Sequence, residues 1–157
     1  MPDQLRNKEK DPGLYHLPPH NLEAEESILS AILIDNHMLL DVLEVLAPED
    51  FYKTAHQKIF SAVTELFNRN EPVDLVTLSN LRQEQDQLGS IGGAAYLARL
   101  VDTVPLAVNA RHYANIVHGK ACLRRLIEKA NIIAKRCFDD RGDVDAVIDF
   151  AEAAIFE

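Results

Sequence analysis

The chain contains no tryptophan, and phenylalanine and tyrosine together supply only 6% of its 157 residues. β-Sandwiches and barrels draw on aromatic and β-branched residues, whereas the frequent Ala, Leu, Ile and Glu here lean helical. No apolar run approaches the roughly 20 residues that would span a bilayer. The opening Met1-Pro2-Asp3-Gln4-Leu5-Arg6 has no apolar core segment, so it does not read as a secretory signal. There are two cysteines, Cys122 and Cys137, both in one expected helix. At about 1.5 Å of rise per residue they sit roughly 22 Å apart, out of disulfide reach. They read as small apolar residues in a reducing compartment, and the expectation is a cytoplasmic protein without a membrane segment.

Basic charge is also in short supply. Sixteen Lys and Arg face 25 Asp and Glu, a net charge of −9. Residues 1–110 hold 17 acids and 8 bases, while residues 111–157 hold 8 of each. An acidic body repels phosphate backbones, which makes the first 110 residues a poor nucleic-acid grip.

Catalytic and metal-binding signatures are missing as well. The only glycine cluster, Gly89 to Gly93, has no following lysine, so it reads as a helix entry turn and not as a phosphate-cradling loop. There is no Cys-x-x-Cys, His-Glu-x-x-His or Glu-x-x-His, so zinc and di-iron sites lack their ligands. His112 and His118 are six residues apart and face different ways on a helix. His16 and His20 share a proline-bearing loop, where a metal is a remote alternative. His56, opening a helix, reads as a cap or a core residue. Acid pairs such as Glu25-Glu26 and Asp139-Asp140 read as solvated charge. The expectation is no catalytic, cofactor or metal site in this chain.

What is present is helical periodicity. Residues 1–16, with alternating charge and Pro12-Gly13, are expected to form a disordered tail. Residues 17–105 are expected to form a compact head of five to six short helices. The first opens at the N-cap Asn21 and carries Leu22, Ile28, Leu29, Ile32 and Leu33, with Glu23, Glu25 and Glu26 complementing its positive end. Asp35-Asn36 ends it, and a short helix follows with Leu39, Leu40, Leu43 and Leu46. Phe51 is expected to anchor the Pro48–Tyr52 turn. A third helix runs from about Thr54 to Asn68 with Ile59, Phe60, Val63, Leu66 and Phe67 inward. A fourth begins near Asp74 with Leu75, Leu78 and Leu81, although Val73, Val76 and Thr77 also suit a short strand. A fifth carries Tyr96, Leu97, Leu100 and Val101 and stops at Pro105.

Residues 106–157 read differently, as a long αα-hairpin. A helix from about Val108 to Phe138 is far longer than the average of about 11–12 residues. At 100° per residue its apolar positions from Ile116 to Phe138 fill an arc of about 160°, widened further by Tyr113 and Val117. One neighbouring helix covers less than that, so Tyr113, Ile116, Val117, Leu123, Leu126, Ile127 and Ile133 are the expected interface with a second copy. For each, ordinary packing on its own head or partner arm is the alternative. After a turn at residues 139–143, a last helix carries Val144, Val147, Ile148, Ala151 and Ile155. Residues 111–136 have a net charge of +6 and residues 139–157 of −6. Two antiparallel arms of opposite sign favour one another. The rival reading makes the basic arm a nucleic-acid stripe, which the acidic arm beside it argues against.

Pro18-Pro19-His20-Asn21-Leu22-Glu23-Ala24-Glu25-Glu26-Ser27-Ile28-Leu29 resembles the opening of the N-terminal domain of hexameric bacterial replicative DNA helicases, the DnaB family. The resemblance continues in order. It runs through Asp50-Phe51-Tyr52 with His56 and Ile59-Phe60, then through residues 72–78, 92–97 and 113–117, to Ala151–Phe156. Each piece is weak alone, but six in correct order and spacing are specific.

The resemblance implies an all-α collar domain whose hairpins pair between subunits, three dimers to a hexamer. It further implies docking of primase and, in some bacteria, of a helicase loader. It places ATP, magnesium and DNA translocation in a separate RecA-like C-terminal domain that these residues do not contain. The chain stops inside an apolar helix at Glu157, where the family's linker begins, so a piece of a longer protein is expected. Two alternatives remain: a free-standing phage or plasmid adaptor that imitates this domain, and a small helical enzyme.

Overall fold

The structure is a computed structural model, and it describes residues 16–102, 109–139 and 142–157. The described residues are all-helical: α1 (Leu22–Ile34), α2 (Met38–Leu43), α3 (Thr54–Asn68), α4 (Leu75–Glu84), α5 (Gly93–Asp102), α6 (Ala110–Phe138) and α7 (Val144–Phe156). Single 3-10 turns occupy Pro48–Asp50 and Gly89–Ile91. The expected tail lies almost wholly outside the described residues, as does Pro105.

Local chemistry places several of the helix starts. Asn21 accepts the N–H of Ala24 at 2.9 Å, capping α1. Asp74 accepts the N–H groups of both Val76 and Thr77 at 2.9 Å, and Thr77 Oγ1 accepts the Asp74 N–H at 3.0 Å. This reciprocal cap satisfies three backbone donors at once, and it starts the helix at Leu75, with Val76 and Thr77 helical and not in a strand. Asn36, just beyond α1, donates to the Val73 carbonyl at 2.7 Å and accepts the Val73 N–H at 2.9 Å. One amide side chain therefore ties the end of α1 to the approach to α4. Gly92, at φ +92°, ends the second 3-10 turn, and a Cβ there would lie 2.8 Å from Tyr96 Cβ. Both the left-handed backbone and the close approach require glycine.

The core of the head is continuous. Ile28, Leu29 and Ile32 of α1 pack with Ile59, Phe60, Val63 and Leu66 of α3, with Leu97 and Leu100 of α5, and with Phe51 from the turn. Phe51 and Phe60 meet at 5.0 Å between ring centres. Three residues expected inward or on the apolar stripe are outside it: Leu22, Leu40 and Phe67 are exposed. Leu22 is the first residue of α1 and Phe67 lies in the last turn of α3, at helix ends.

Helix α6 enters this core through Ala110, Ala114, Val117 and Ala121, spaced four, three and four residues apart. Small residues at these positions let α6 lie close against α1, its main neighbour in the head. After Ala121 no residue of α6 is buried, and the helix leaves the head as an arm. Helix α7 packs back on α6, presenting Val147, Ala151 and Ala154, which are half-buried at helical spacing. Arg136 lies over the Phe150 ring at 5.6 Å.

Candidate functional site: the face of the hairpin arm

The arm carries an uncovered apolar face. Leu123, Leu126, Ile127 and Ile132 of α6 are each 46–52% exposed, and Ile133 is half-buried. Helix α7 buries none of its residues, and Val144, Ile148, Phe150, Ile155 and Phe156 are all exposed. Large exposed apolar patches mark interaction surfaces.

The seven expected interface residues divide at Ala121. Val117 is 1% exposed and belongs to the core of the head, and Tyr113 and Ile116 pack against that core half-buried. The sequence arc merged two surfaces that the structure separates: a base covered by the head and an outer face that is not. Val117 is withdrawn from the interface for that reason. Leu123, Leu126 and Ile127 sit together on the outer face, whereas Ile132, nine residues after Leu123 and so about 180° round the helix, lies on the side of Ala114 and Ala121, beyond the end of the head. Beside them lies an open groove of about 790 Å³, walled by residues 16–19 on one side and by Arg124, Ile127, Ile132 and Lys135 on the other.

The charges of the arm are also used differently than expected. Among the described residues, no ion pair joins α6 to α7; three of the arm's bases turn to the head instead. Arg111 pairs with Glu44 at 2.9 Å. Arg125 Nη1 donates to Asp50 Oδ1 at 2.7 Å, and Arg124 donates to the carbonyls of Pro19 at 2.8 Å and of Asp50 at 2.5 Å. The Arg124 guanidinium also lies over Tyr52 at 5.6 Å, and Tyr52 stacks with His20 at 4.3 Å. Burial pushes the Asp50 carboxyl up, but hydrogen bonds from Arg125 and the Ala47 N–H, the Arg125 charge and the nearby His118 outweigh it, so its pKa lies below the ordinary aspartate value. No sequence spacing links Asp50 to Arg124 and Arg125, because the contact closes only across 74 and 75 residues of chain.

A second polar cluster was equally hidden. Glu25, expected as solvated charge, is buried at 1% exposure. Its carboxylate accepts the Tyr52 N–H, the more distant Lys53 N–H at 3.5 Å, and His56 Nδ1–H at 2.6 Å. His56 Nε2 meets the Tyr96 hydroxyl at 2.6 Å, and Lys53 Nζ donates to the same oxygen at 3.2 Å. Lys53 is the N-cap position of α3 and makes no side-chain cap; Glu25 of α1 instead holds the two backbone N–H groups that lead into α3. The core assignment of His56 stands, with its ring buried and both nitrogens engaged. The cluster resembles an acid–imidazole–phenol relay in its order, but it closes inside the head and serves to lock α1, α3 and α5 together. Among the described residues, no group of three or more His, Cys, Asp or Glu is placed to hold a metal ion.

Comparison with known proteins gives this architecture a family. The family model described as "DnaB-like helicase N terminal domain" matches residues 17–119. The replicative DNA helicase DnaB of Geobacillus stearothermophilus is 44% identical over 141 residues, covering 90% of this chain and 31% of that protein. The replicative DNA helicase DnaC of Bacillus subtilis is 43% identical over the same shares. The chain thus spans about a third of the length of these curated relatives. The crystal structure of the N-terminal domain of DnaB helicase from Mycobacterium tuberculosis superposes with a TM-score of 0.84 at 42% identity, covering 89% of this chain and 99% of that one. A matched family model, close relatives and a shared all-helical fold agree that the chain belongs to the DnaB-like helicase N-terminal domain family.

Proposed function

We propose that this domain is an assembly module: two copies pair through the outer faces of their hairpin arms, as subunits of a hexameric replicative helicase. The observation that carries this reading is the exposed strip Leu123, Leu126 and Ile127 on a helix whose base is held in the head. Burying the open half of a Leu or Ile contributes about 1 kcal/mol. Three such residues on each of two copies give about 6 kcal/mol before the unfavourable cost of association. That supports weak pairing of isolated domains, made effective when other parts of a hexamer hold the copies close.

In that role the collar of paired domains offers a docking platform for primase and for a helicase loader. ATP and magnesium would be used by a RecA-like motor domain elsewhere in the same protein, and DNA is reached through that motor. The working compartment is the cytoplasm; no helix among the described residues is long and apolar enough to cross a membrane. Nothing in the fold favours the adaptor alternative or a small helical enzyme.

Sedimentation velocity across a concentration series tests the pairing. The wild-type chain is expected to shift from monomer toward dimer, and Ile127→Asp to remain monomeric with unchanged helicity. An unchanged dimer in Ile127→Asp, or a wild type that stays monomeric at every concentration, would overturn the reading.

A further inference from the structure

The apolar seat of α6 in the head ends at Ala121, yet the arm's outer face begins at Leu123. What holds the helix at that point is polar. Arg124 and Arg125 are consecutive, so their side chains leave the helix about 100° apart and reach different groups. Both converge on one residue. Arg125 takes the Asp50 carboxylate, and Arg124 takes the Asp50 carbonyl together with that of Pro19. The other carboxylate oxygen of Asp50 accepts the Ala47 N–H at 3.1 Å and lies 3.6 Å from His118 Nδ1. Asp50 is itself pinned, because the 3-10 turn that bears it runs directly into Phe51, which is fully buried. Beyond Arg124 the arm and residues 16–19 separate around the open groove.

We propose that Asp50 is the positioning residue of the arm: a latch on the head that grips Arg124 and Arg125 and fixes the direction in which the outer half of α6 presents Leu126 and Ile127. This deepens the pairing reading and rests on it only for the consequence in assembly; the latch itself is a property of one chain. The geometry suits such a role for three reasons. The anchor is a rigid turn backed by a buried ring. The bonds are charge-assisted, and so stronger than neutral ones. The Asp50 side chain is only 7% exposed, so although Arg125 is 46% exposed the pair is shielded from water on the carboxylate side. A helix fixed by apolar packing alone would tolerate small rolls and slides. Two guanidinium groups held to one residue do not, because a shift of an ångström or two breaks both sets of bonds at once.

The test uses the whole chain in four forms: wild type, Asp50→Asn, Arg125→Gln and the double variant, with Arg125→Lys as the conservative control. Hydrogen exchange is followed at amides 122–138, with the core amides of α1 and α3 as internal reference. Each single variant is expected to speed exchange at 122–138 on the order of tenfold and leave α1 and α3 unchanged. The double variant should add little to either single, because both remove the same bond. Arg125→Lys should recover part of the protection. The same variants should weaken pairing on the order of tenfold by sedimentation.

Unchanged exchange at 122–138 would overturn the latch, as would faster exchange spread equally over α1 and α3, or strictly additive effects. Faster exchange at 122–138 with unaltered pairing would keep the latch but remove its role in assembly. A monomeric wild type would sink the pairing reading alone, since exchange is read on the monomer.

Discussion

Replacing Glu25 tests most directly how the head is held together. Its carboxylate is buried and serves the Tyr52 N–H and His56 Nδ1–H at close range, with the Lys53 N–H further off. Leaving a buried donor unsatisfied costs about 1–3 kcal/mol. Glu25→Ala strands two well-placed donors and removes one buried methylene, worth about 0.8 kcal/mol. A loss of about 4 kcal/mol follows, a large share of the roughly 5–15 kcal/mol that stabilises a typical domain. For a chain of this length each kcal/mol moves Tm by about 2–4 °C, so the melting point should fall by about 8–16 °C.

Glu25→Gln is expected to be milder, near 1–2 kcal/mol, because the amide oxygen still accepts the Tyr52 N–H and the ring can exchange tautomers to meet the amide. Circular dichroism melts and urea titrations give both numbers. Glu23, in the same turn but exposed, is the control, and its replacement by Ala should cost under about 1 kcal/mol. A Glu25→Ala chain melting within about 2 °C of wild type would refute the claim that this carboxylate joins α1 to α3.

Two further outcomes follow from the same geometry. Gly92→Ala combines a left-handed backbone with a Cβ 2.8 Å from Tyr96 Cβ, so it should destabilise by about 1–3 kcal/mol in urea titration; a neutral result would show that the turn can relax freely. Asp50 has a pKa below that of the unfolded chain, about 3.9, so its contribution is fully present above that value and disappears as pH falls through the lower folded value. Asp50→Asn should therefore flatten the acid limb of the stability–pH curve below about pH 4, and an unaltered limb would contradict it.

Much was legible in the residues alone, and the reason is local physics. Apolar spacing marked the helices that the structure shows, and Asn21 announced the start of α1 because a cap involves neighbours only two or three residues away. The length of α6 and the excess of its apolar arc were likewise visible, since periodicity along one helix needs no knowledge of its surroundings. The ordered run of motifs from Pro18 to Phe156 pointed to the family that the comparisons established.

Tertiary structure decided which neighbours each face would meet. Only the fold could bury Glu25 beneath the start of α3 while leaving Glu23 in water, because that depends on α3 crossing α1 at one place. Only the fold could divide the arc of α6 at Ala121, covering Val117 and exposing Ile127 ten residues on, where the head comes to an end. The partnership of Asp50 with Arg124 and Arg125 was invisible for the same reason. A charged side chain carries no periodic signal that names its partner, and the distance between them along the chain closes only when the core has formed.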